Sequence, residues 1–366
     1  MINTLAGPGK YYQGENALLE LGKLVSYLGD RFLVLSDDIV YPLVKEKIEI
    51  GFSGSEKPLK WSYTSYGGES TQVEADRVGA LAKEIGAVSI IGIGGGKLLD
   101  TAKLAADESG LPVVIVPTSA ATDAPSSSMS VVYTEDGIFV VSKRMRNHPD
   151  IVLVDTTVIA GSPLRTFIAG IGDAFSCYYE ARACKASGAM NYNGGRGTAL
   201  AYHIPEYCNL ILRENAKAAV ASVKNTRWSE ALDRVSEAIL YMGGVGFENT
   251  GCTIPHGVYN GMTAILRPFG AMHGEAVALG VLIQLAAEKV PNDEWNDVVS
   301  FYRTVGLPEC FAGLGVPNIT DETIMQICEK AVTISPNVHK EPFEVDAKLL
   351  FDAIKTVETR SKESRQ

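Results

Sequence analysis

The segment AVSIIGIGGGK (87–97) constrains this chain most. Its β-branched run ends in glycines, and LLDTAKLAADESG (98–110) then takes up helical spacing. A buried strand turning through glycine into a helix is the opening of a βαβ unit. The same alternation recurs around it. RFLVLSDD (31–38), KWSYTSYGGES (60–70), LPVVIVPTS (111–119) and DIVLVD (150–155) have strand patterns, and QVEADRVGALAKEIG (72–86) is an amphipathic helix. Unbroken Val/Ile/Leu runs mark strands buried on both faces, as in a parallel sheet covered by helices.

The pattern changes near TTVIAGSP (156–163). Beyond it lie long helical stretches: PLRTFIAGIGDAFSCYYEARAC, WSEALDRVSEAILYMGGVG and EAVALGVLIQLAAEKV. We therefore expect two domains. Residues 1–160 form an α/β, Rossmann-like dinucleotide-binding domain with a parallel sheet, and residues 161–366 an all-α domain. The polar end, TVETRSKESRQ (356–366), is expected to fray.

Composition narrows the function. A net charge of −10 argues against a nucleic-acid surface, which needs a basic stripe to neutralise phosphates. No apolar run reaches the roughly 18 residues of a membrane span. The six cysteines contain no CxxC pair, and the N-terminus shows no leader pattern. Both point to a cytoplasmic protein with free thiols.

The turn GIGGGKLLDTAK (92–103) suits phosphate binding, because glycines expose backbone amides at a helix N-terminus. Lys97 adds positive charge at the same place. The run is neither the standard GxGxxG fingerprint nor a P-loop, since Leu98 follows the lysine. About 20 residues on, where a ribose-binding acid is expected, LPVVIVPTS contains none. Asp37 and Asp38 close the first strand instead. A carboxylate there would accept a ribose 2′-hydroxyl and repel a 2′-phosphate, which favours NAD over NADP. Asp37 is equally placed to cap the helix that follows. The serine-rich SAATDAPSSSMS (119–130) follows a buried strand at the sheet's carboxyl edge, so we read it as a binding loop rather than a linker.

Only five histidines occur in the chain. Two of them, His256 in CTIPHGVYNG and His273 in AMHGEAVALG, lie in glycine-flanked segments, as does Asp173 in AGIGDAF. Two imidazoles and one carboxylate suit a divalent zinc or ferrous ion with a position left open for substrate. Asp173 lies opposite the apolar stripe of its helix, among small residues. That placement fits either a cleft or a solvated acid. His273 would project from the first turn of a helix. Cys252, four residues from His256, is read as a structural thiol.

GIGGGKLLDTAK, PTSAATDAPSSSMSVVY, AGIGDAF, PHGVYNG and MHGEAVALG, in this order, resemble the glycerol dehydrogenases of the iron-containing alcohol dehydrogenase superfamily. The resemblance implies a dehydroquinate synthase-like fold: an α/β NAD-binding domain followed by a helical domain. It implies a metal, zinc with Fe2+ as the other candidate, on Asp173, His256 and His273. With the glycine turn it gives NAD contacts at Asp37, Gly94, Gly95, Gly96, Lys97, Asp100, Thr118, Ser119, Ser127, Met129 and Tyr133. Asp123 is implied to contact a polyol. The implied reaction is oxidation of glycerol to dihydroxyacetone by a homo-oligomer, an octamer in the family. One departure is visible: Tyr259 in HGVYNG stands where many relatives have histidine. Other activities on the same scaffold are a hydroxy acid or 2-oxo acid dehydrogenase, a glycerol-1-phosphate dehydrogenase and a dehydroquinate synthase-like lyase. The last two must hold a phosphate, and the segments near the expected ligands offer Arg267 but no dense basic cluster.

Overall fold

The structure is a computed structural model, and it describes residues 2–363. The chain divides into two compact units. One comprises Ala6–Phe167 and Ala221–Gly244; the other comprises the N-terminal residues up to Leu5, Ile168–Val220 and the chain from Val245 onward. The sheet unit runs to Phe167, past the expected break at 160/161, and residues 221–244 also lie with it. There Gln13 donates to the Asp233 carbonyl at 2.9 Å, and the Tyr11 and Tyr241 rings meet at 4.7 Å. The first residues lie with the helices, because Asn3–Thr4 pairs in parallel with Arg196–Gly197.

The sheet unit contains β1 (Lys10–Gly14), β2 (Arg31–Ser36), β3 (Lys60–Ser65), β4 (Ser89–Gly94), β5 (Val113–Pro117), β6 (Met129–Tyr133), β7 (Phe139–Arg144) and β8 (Ile151–Asp155). Six strands form one parallel sheet in the order β1-β8-β5-β4-β2-β3. β6 and β7 make a separate antiparallel hairpin that the sequence reading did not identify. Every residue of β7 except Lys143 is exposed, so it lacks the buried run that marks the others.

Strand alternation sends Phe32, Val34, Ile91, Ile93, Val114, Val116, Ile151 and Leu153 into one core. Helix α1 (Tyr41–Ser53) covers it with Val44, Ile48 and Phe52. Each such side chain, fully buried, stabilises the fold by about 1.5–3 kcal/mol. Helices α2 (Gln72–Glu84) and α3 (Gly96–Ser109) follow β3 and β4. From β2 the chain passes to β3 on one side, whereas from β4 it passes to β5 on the other. The carboxyl ends of β2 and β4 therefore flank a topological switch point, where open α/β sheets bind ligands.

Helices α4 (Leu164–Ser187) and α5 (Ala199–Lys224) supply most of the chain between the two stretches of sheet unit. Then come α6 (Glu230–Glu237), a π-helical segment (Ala238–Gly243), α7 (Gly244–Thr250), α8 (Ile254–Ile265) and α9 (His273–Glu288). The chain ends with α10 (Asn292–Val305), α11 (Asp321–Ile334) and α12 (Ala347–Glu363). α9 is apolar on all sides, with Ala276, Leu279, Leu282 and Leu285 fully buried, as suits a helix central to its unit. The expected fraying of residues 356–366 is corrected for residues 356–363, which continue α12. Val357 and Ser361 extend the buried stripe begun by Leu350 and Ile354, and so hold the last turns. Residues 364–366 lie outside the described residues.

Candidate metal centre and dinucleotide turn

Glycines let two helices of the helical unit touch through their backbones. A Cβ on Gly274 would lie 1.8 Å from the Ala169 carbonyl oxygen, and one on Gly172 would lie 2.5 Å from the Gly274 carbonyl. Real side chains cannot approach that closely, so both positions require glycine. Each is the direct neighbour of a candidate ligand. The contact therefore presses Asp173 of α4 against His273, the first residue of α9. His256 arrives from the first turn of α8. One ligand atom from each of the three lies within 4.8 Å of the others. His273 Nε2 is 3.2 Å and His256 Nε2 3.7 Å from Asp173 Oδ1. Asp173 is fully buried, which settles its open alternative against a solvated acid. The two histidine side chains keep 15% and 28% of their exposure, so the cluster stays open to a further ligand.

Glu180 completes this arrangement, and the sequence reading missed it. It lies seven residues beyond Asp173 on α4, two helical turns along the same face. That spacing was the available signal. Its carboxylate is fully buried and accepts from the Thr253 amide at 2.8 Å and from the Ser176 hydroxyl at 3.2 Å. It also lies 2.9 Å from His256 Nδ1. Thr253 makes no side-chain cap for α8, so Glu180 satisfies that helix end and places negative charge at its positive pole. With Nδ1 donating to Glu180, the Nε2 lone pair of His256 points to Asp173 and His273. Carboxylates orient metal-binding histidines in this way.

Glu180, Cys252 and His256 form a second close trio. Burial, with the Glu180 charge beside it, pushes the Cys252 thiol up, so it stays a neutral thiol and a weak donor. The donor set that fits a divalent cation is Asp173, His256 and His273, one carboxylate oxygen and two imidazole nitrogens. The Tyr259 ring stands edge-on to His273 at 4.4 Å and 89°. Burial and the Asp173 carboxylate raise its phenol, while His256 opposes them.

In the sheet unit, Gly94 ends β4 and Gly95 is the N-cap of α3. No side chain caps that helix. A Cβ on Gly95 would meet nothing within 4 Å, and one on Gly96 only Thr122 Oγ1 at 3.9 Å. The turn is thus a backbone cradle with room above it, and it fits a phosphate. Lys97 stands at its rim, 2.6 Å from Glu69 Oε2 and 4.9 Å above the Tyr133 ring. Glu69 had no mark in the sequence that distinguished it. The Thr118 amide ties the next strand end to the Gly94 carbonyl at 3.1 Å, and Ser119 follows it, half-buried.

Asp37 Oδ1 accepts from the amides of Ile39 and Val40 at 2.9 and 2.7 Å, which holds the turn at the switch point ahead of α1; the N-cap of α1 is Val40, without a side-chain cap. Asp38 accepts from Tyr63 and Ser65. Asp100 is buried, with its oxygens on Lys103 at 2.9 Å and the Val131 amide at 3.0 Å. In the serine-rich loop, Asp123 is 5% exposed. The Ser127 hydroxyl donates to the Ala124 carbonyl at 3.0 Å, and Met129 begins the hairpin.

All six cysteines are buried. Among the described residues, no helix is long and apolar enough to cross a membrane.

Comparison with known proteins agrees with this architecture. The family model described as iron-containing alcohol dehydrogenase matches residues 8–156. The chain is 40% identical over 343 residues to a glycerol dehydrogenase of Escherichia coli O6:H1, covering 93% of each. It is 38% identical over 358 residues to one of Thermotoga maritima, covering 98% of this chain and 97% of that one. The crystal structure of glycerol dehydrogenase from Schizosaccharomyces pombe superposes with a TM-score of 0.94 at 34% identity, over 99% of this chain and 92% of that one. Likeness of this degree along nearly the whole length shows the family: this chain is an enzyme that belongs to the glycerol dehydrogenases of the iron-containing alcohol dehydrogenase superfamily.

Proposed function

We propose that the enzyme oxidises glycerol, or a polyol of similar size, to its ketone, dihydroxyacetone in the case of glycerol, with NAD as hydride acceptor. The observation that carries this reading is the convergence of Asp173, His256 and His273, in a chain whose relatives are named glycerol dehydrogenases. Those three residues would hold the divalent ion, zinc by donor type with Fe2+ the alternative. When bound, the ion supplies Lewis acidity toward a substrate hydroxyl, and NAD supplies the hydride acceptor.

The remaining roles belong to the chain. The amides at Gly94, Gly95 and Gly96 receive the dinucleotide phosphates, with Lys97 beside them. Lys97 leaves Glu69 for the phosphate. Asp37 meets the adenosine ribose through its other oxygen, Oδ2, with Oδ1 held by the turn amides. Thr118, Ser119, Ser127, Met129 and Tyr133 line the rest of the dinucleotide site. Asp100 is left out of these contacts, because both its oxygens are engaged within the protein. Asp123 accepts a hydrogen bond from a polyol hydroxyl. Tyr259, a neutral phenol, steadies the His273 ring rather than relaying a proton as an imidazole could.

A phosphate-free substrate is favoured. Arg267 is exposed, and its Nε donates to the Thr263 carbonyl at 3.4 Å. We expect a homo-oligomer in the cytoplasm, which sedimentation and cell fractionation would check. The deciding experiment follows NADH formation with glycerol, glycerol 1-phosphate and a small 2-hydroxy acid, before and after chelation. Turnover of glycerol that chelation abolishes and zinc or Fe2+ restores is the expected result. Full turnover after metal is removed, or preference for the phosphorylated substrate, overturns the reading.

A further inference from the structure

The loop carrying Asp123 is gripped from two sides by residues that the proposed chemistry does not use. On one side stands Lys103 of α3, a cation only 2% exposed. Its ammonium is 2.9 Å from Asp100 Oδ1 and donates to the Ala124 carbonyl at 3.1 Å and to the Met129 carbonyl. Lysines are almost never buried so deeply unless paired. This one joins both ends of the segment from Ala124 to Met129. On the other side, the π-helical segment Ala238–Gly243 passes into α7 at Gly244. The Ser126 hydroxyl donates to the Leu240 carbonyl. A Cβ on Gly244 would lie 2.4 Å from the Asp123 carbonyl oxygen and 3.1 Å from Ser126 Cβ. Gly244 has ordinary helical dihedrals, φ −61° and ψ −47°, so it is not there to relieve backbone strain. Its lack of a side chain lets the helix meet the loop backbone. π-Segments of this kind recur at functional sites.

We propose that Lys103 and Gly244 are positioning residues that set where Asp123 stands, and through it the affinity for the polyol. Segment 221–244 then belongs with the sheet for a functional reason: it forms the second jaw on the substrate loop. This rests on the reading of Asp123 as the polyol contact. A displacement of about 1 Å at a substrate-positioning group can cost on the order of 100-fold.

The test compares Gly244→Ala with Asp123→Ala, measuring KM for glycerol, kcat, the dissociation constant of NADH and bound metal per chain. Gly244→Ala is expected to raise KM for glycerol by ~10-fold or more, with metal content unchanged and NADH affinity altered far less. A glycine without this role predicts the opposite. The 2.4 Å clash with the Asp123 carbonyl would then cost thermal stability only, and the folded variant would keep its KM. If Asp123→Ala raises KM and Gly244→Ala does not, the positioning proposal fails alone. If Asp123→Ala itself leaves KM unchanged, the assignment of Asp123 falls, and the proposal with it. Should Gly244→Ala not fold, Ser126→Ala and Lys103→Met put the same question from either jaw. Unchanged KM in the folded variants overturns the proposal.

Discussion

The two candidate sites are built from opposite materials. The turn at Gly94–Lys97 is made of backbone, and its usefulness lies in side chains that are missing. The cluster of Asp173, His256 and His273 is made of side chains from three helices, and glycines serve there only to let those helices meet. A backbone site is contiguous in sequence and tolerates nothing added above it. A side-chain site is scattered in sequence and depends on the groups that aim it.

The largest break between the two should come from Asp173→Asn. The amide keeps the shape but loses the charge that a divalent ion needs, inside a fully buried position. Metal affinity should fall by more than ~100-fold, beyond what removing a merely orienting residue costs. Turnover should fall with it while NADH still binds. The check is metal content by elemental analysis beside NADH titration. Normal metal content in the variant would remove Asp173 from the ligand set.

Gly95→Ala should do the reverse. The added methyl meets no protein atom within 4 Å, and Gly95 has φ −85°, which alanine adopts freely. The fold and the metal should be untouched. The methyl would stand where a phosphate must approach the α3 amides. Losing one charge-assisted bond there costs about 1.5–3 kcal/mol, roughly 10- to 100-fold in NADH affinity. Unaltered NADH binding in the variant would mean that the phosphates lie elsewhere.

This contrast explains what the sequence let us read. The strands of the sheet were legible because parallel strands are buried on both faces and leave unbroken Val/Ile/Leu runs. The hairpin of β6 and β7 was not, because its outer strand faces water and carries no such run. His256 and His273 were visible because histidine is rare here and each lies beside a glycine. The glycines turned out to matter for packing: Gly274 admits the α4 backbone, and that brings Asp173 to His273. Glu180 went unnoticed because acids are common on helices and the partners that tie it to the cluster, Thr253 and His256, lie more than 70 residues away. The return of residues 221–244 to the sheet was also hidden, since helical periodicity does not say which core a helix joins.

Glu180→Gln sharpens the side-chain half of the comparison with a smaller effect. Glutamine keeps one accepting oxygen but loses the other, and with it the charge that fixes the His256 tautomer. Metal affinity should drop by ~10-fold, the lower end for an orienting residue, while NADH affinity stays constant. Competition with a chelator of known affinity measures it. No change in metal affinity would reduce Glu180 to a cap for α8.

The last expected effect is one of stability rather than of binding, and it belongs to the helical unit alone. Glu341 is 5% exposed, and its carboxylate accepts weakly from the Ile254 amide at 3.5 Å. Burial pushes its pKa up from 4.5 to about 7; the Thr253 and Ile254 bonds oppose this, and the Glu288 and Glu180 charges add to it. The folded state therefore holds this proton more tightly than the unfolded chain does. The stabilisation is complete below pH ~4.5, declines as pH rises toward 7, and is gone above it. A shift of this size is worth up to roughly 3 kcal/mol. Glu341→Gln has no proton to lose, so the stability difference between the two proteins should change across that window and level off above it. Trp295 reports on the helical unit, whereas Trp61 and Trp228 lie in the sheet unit. Urea unfolding followed by Trp295 fluorescence, with the other two changed to Phe, should show the pH response. Parallel curves for wild type and Glu341→Gln between pH 5 and 8 would remove Glu341 as its source.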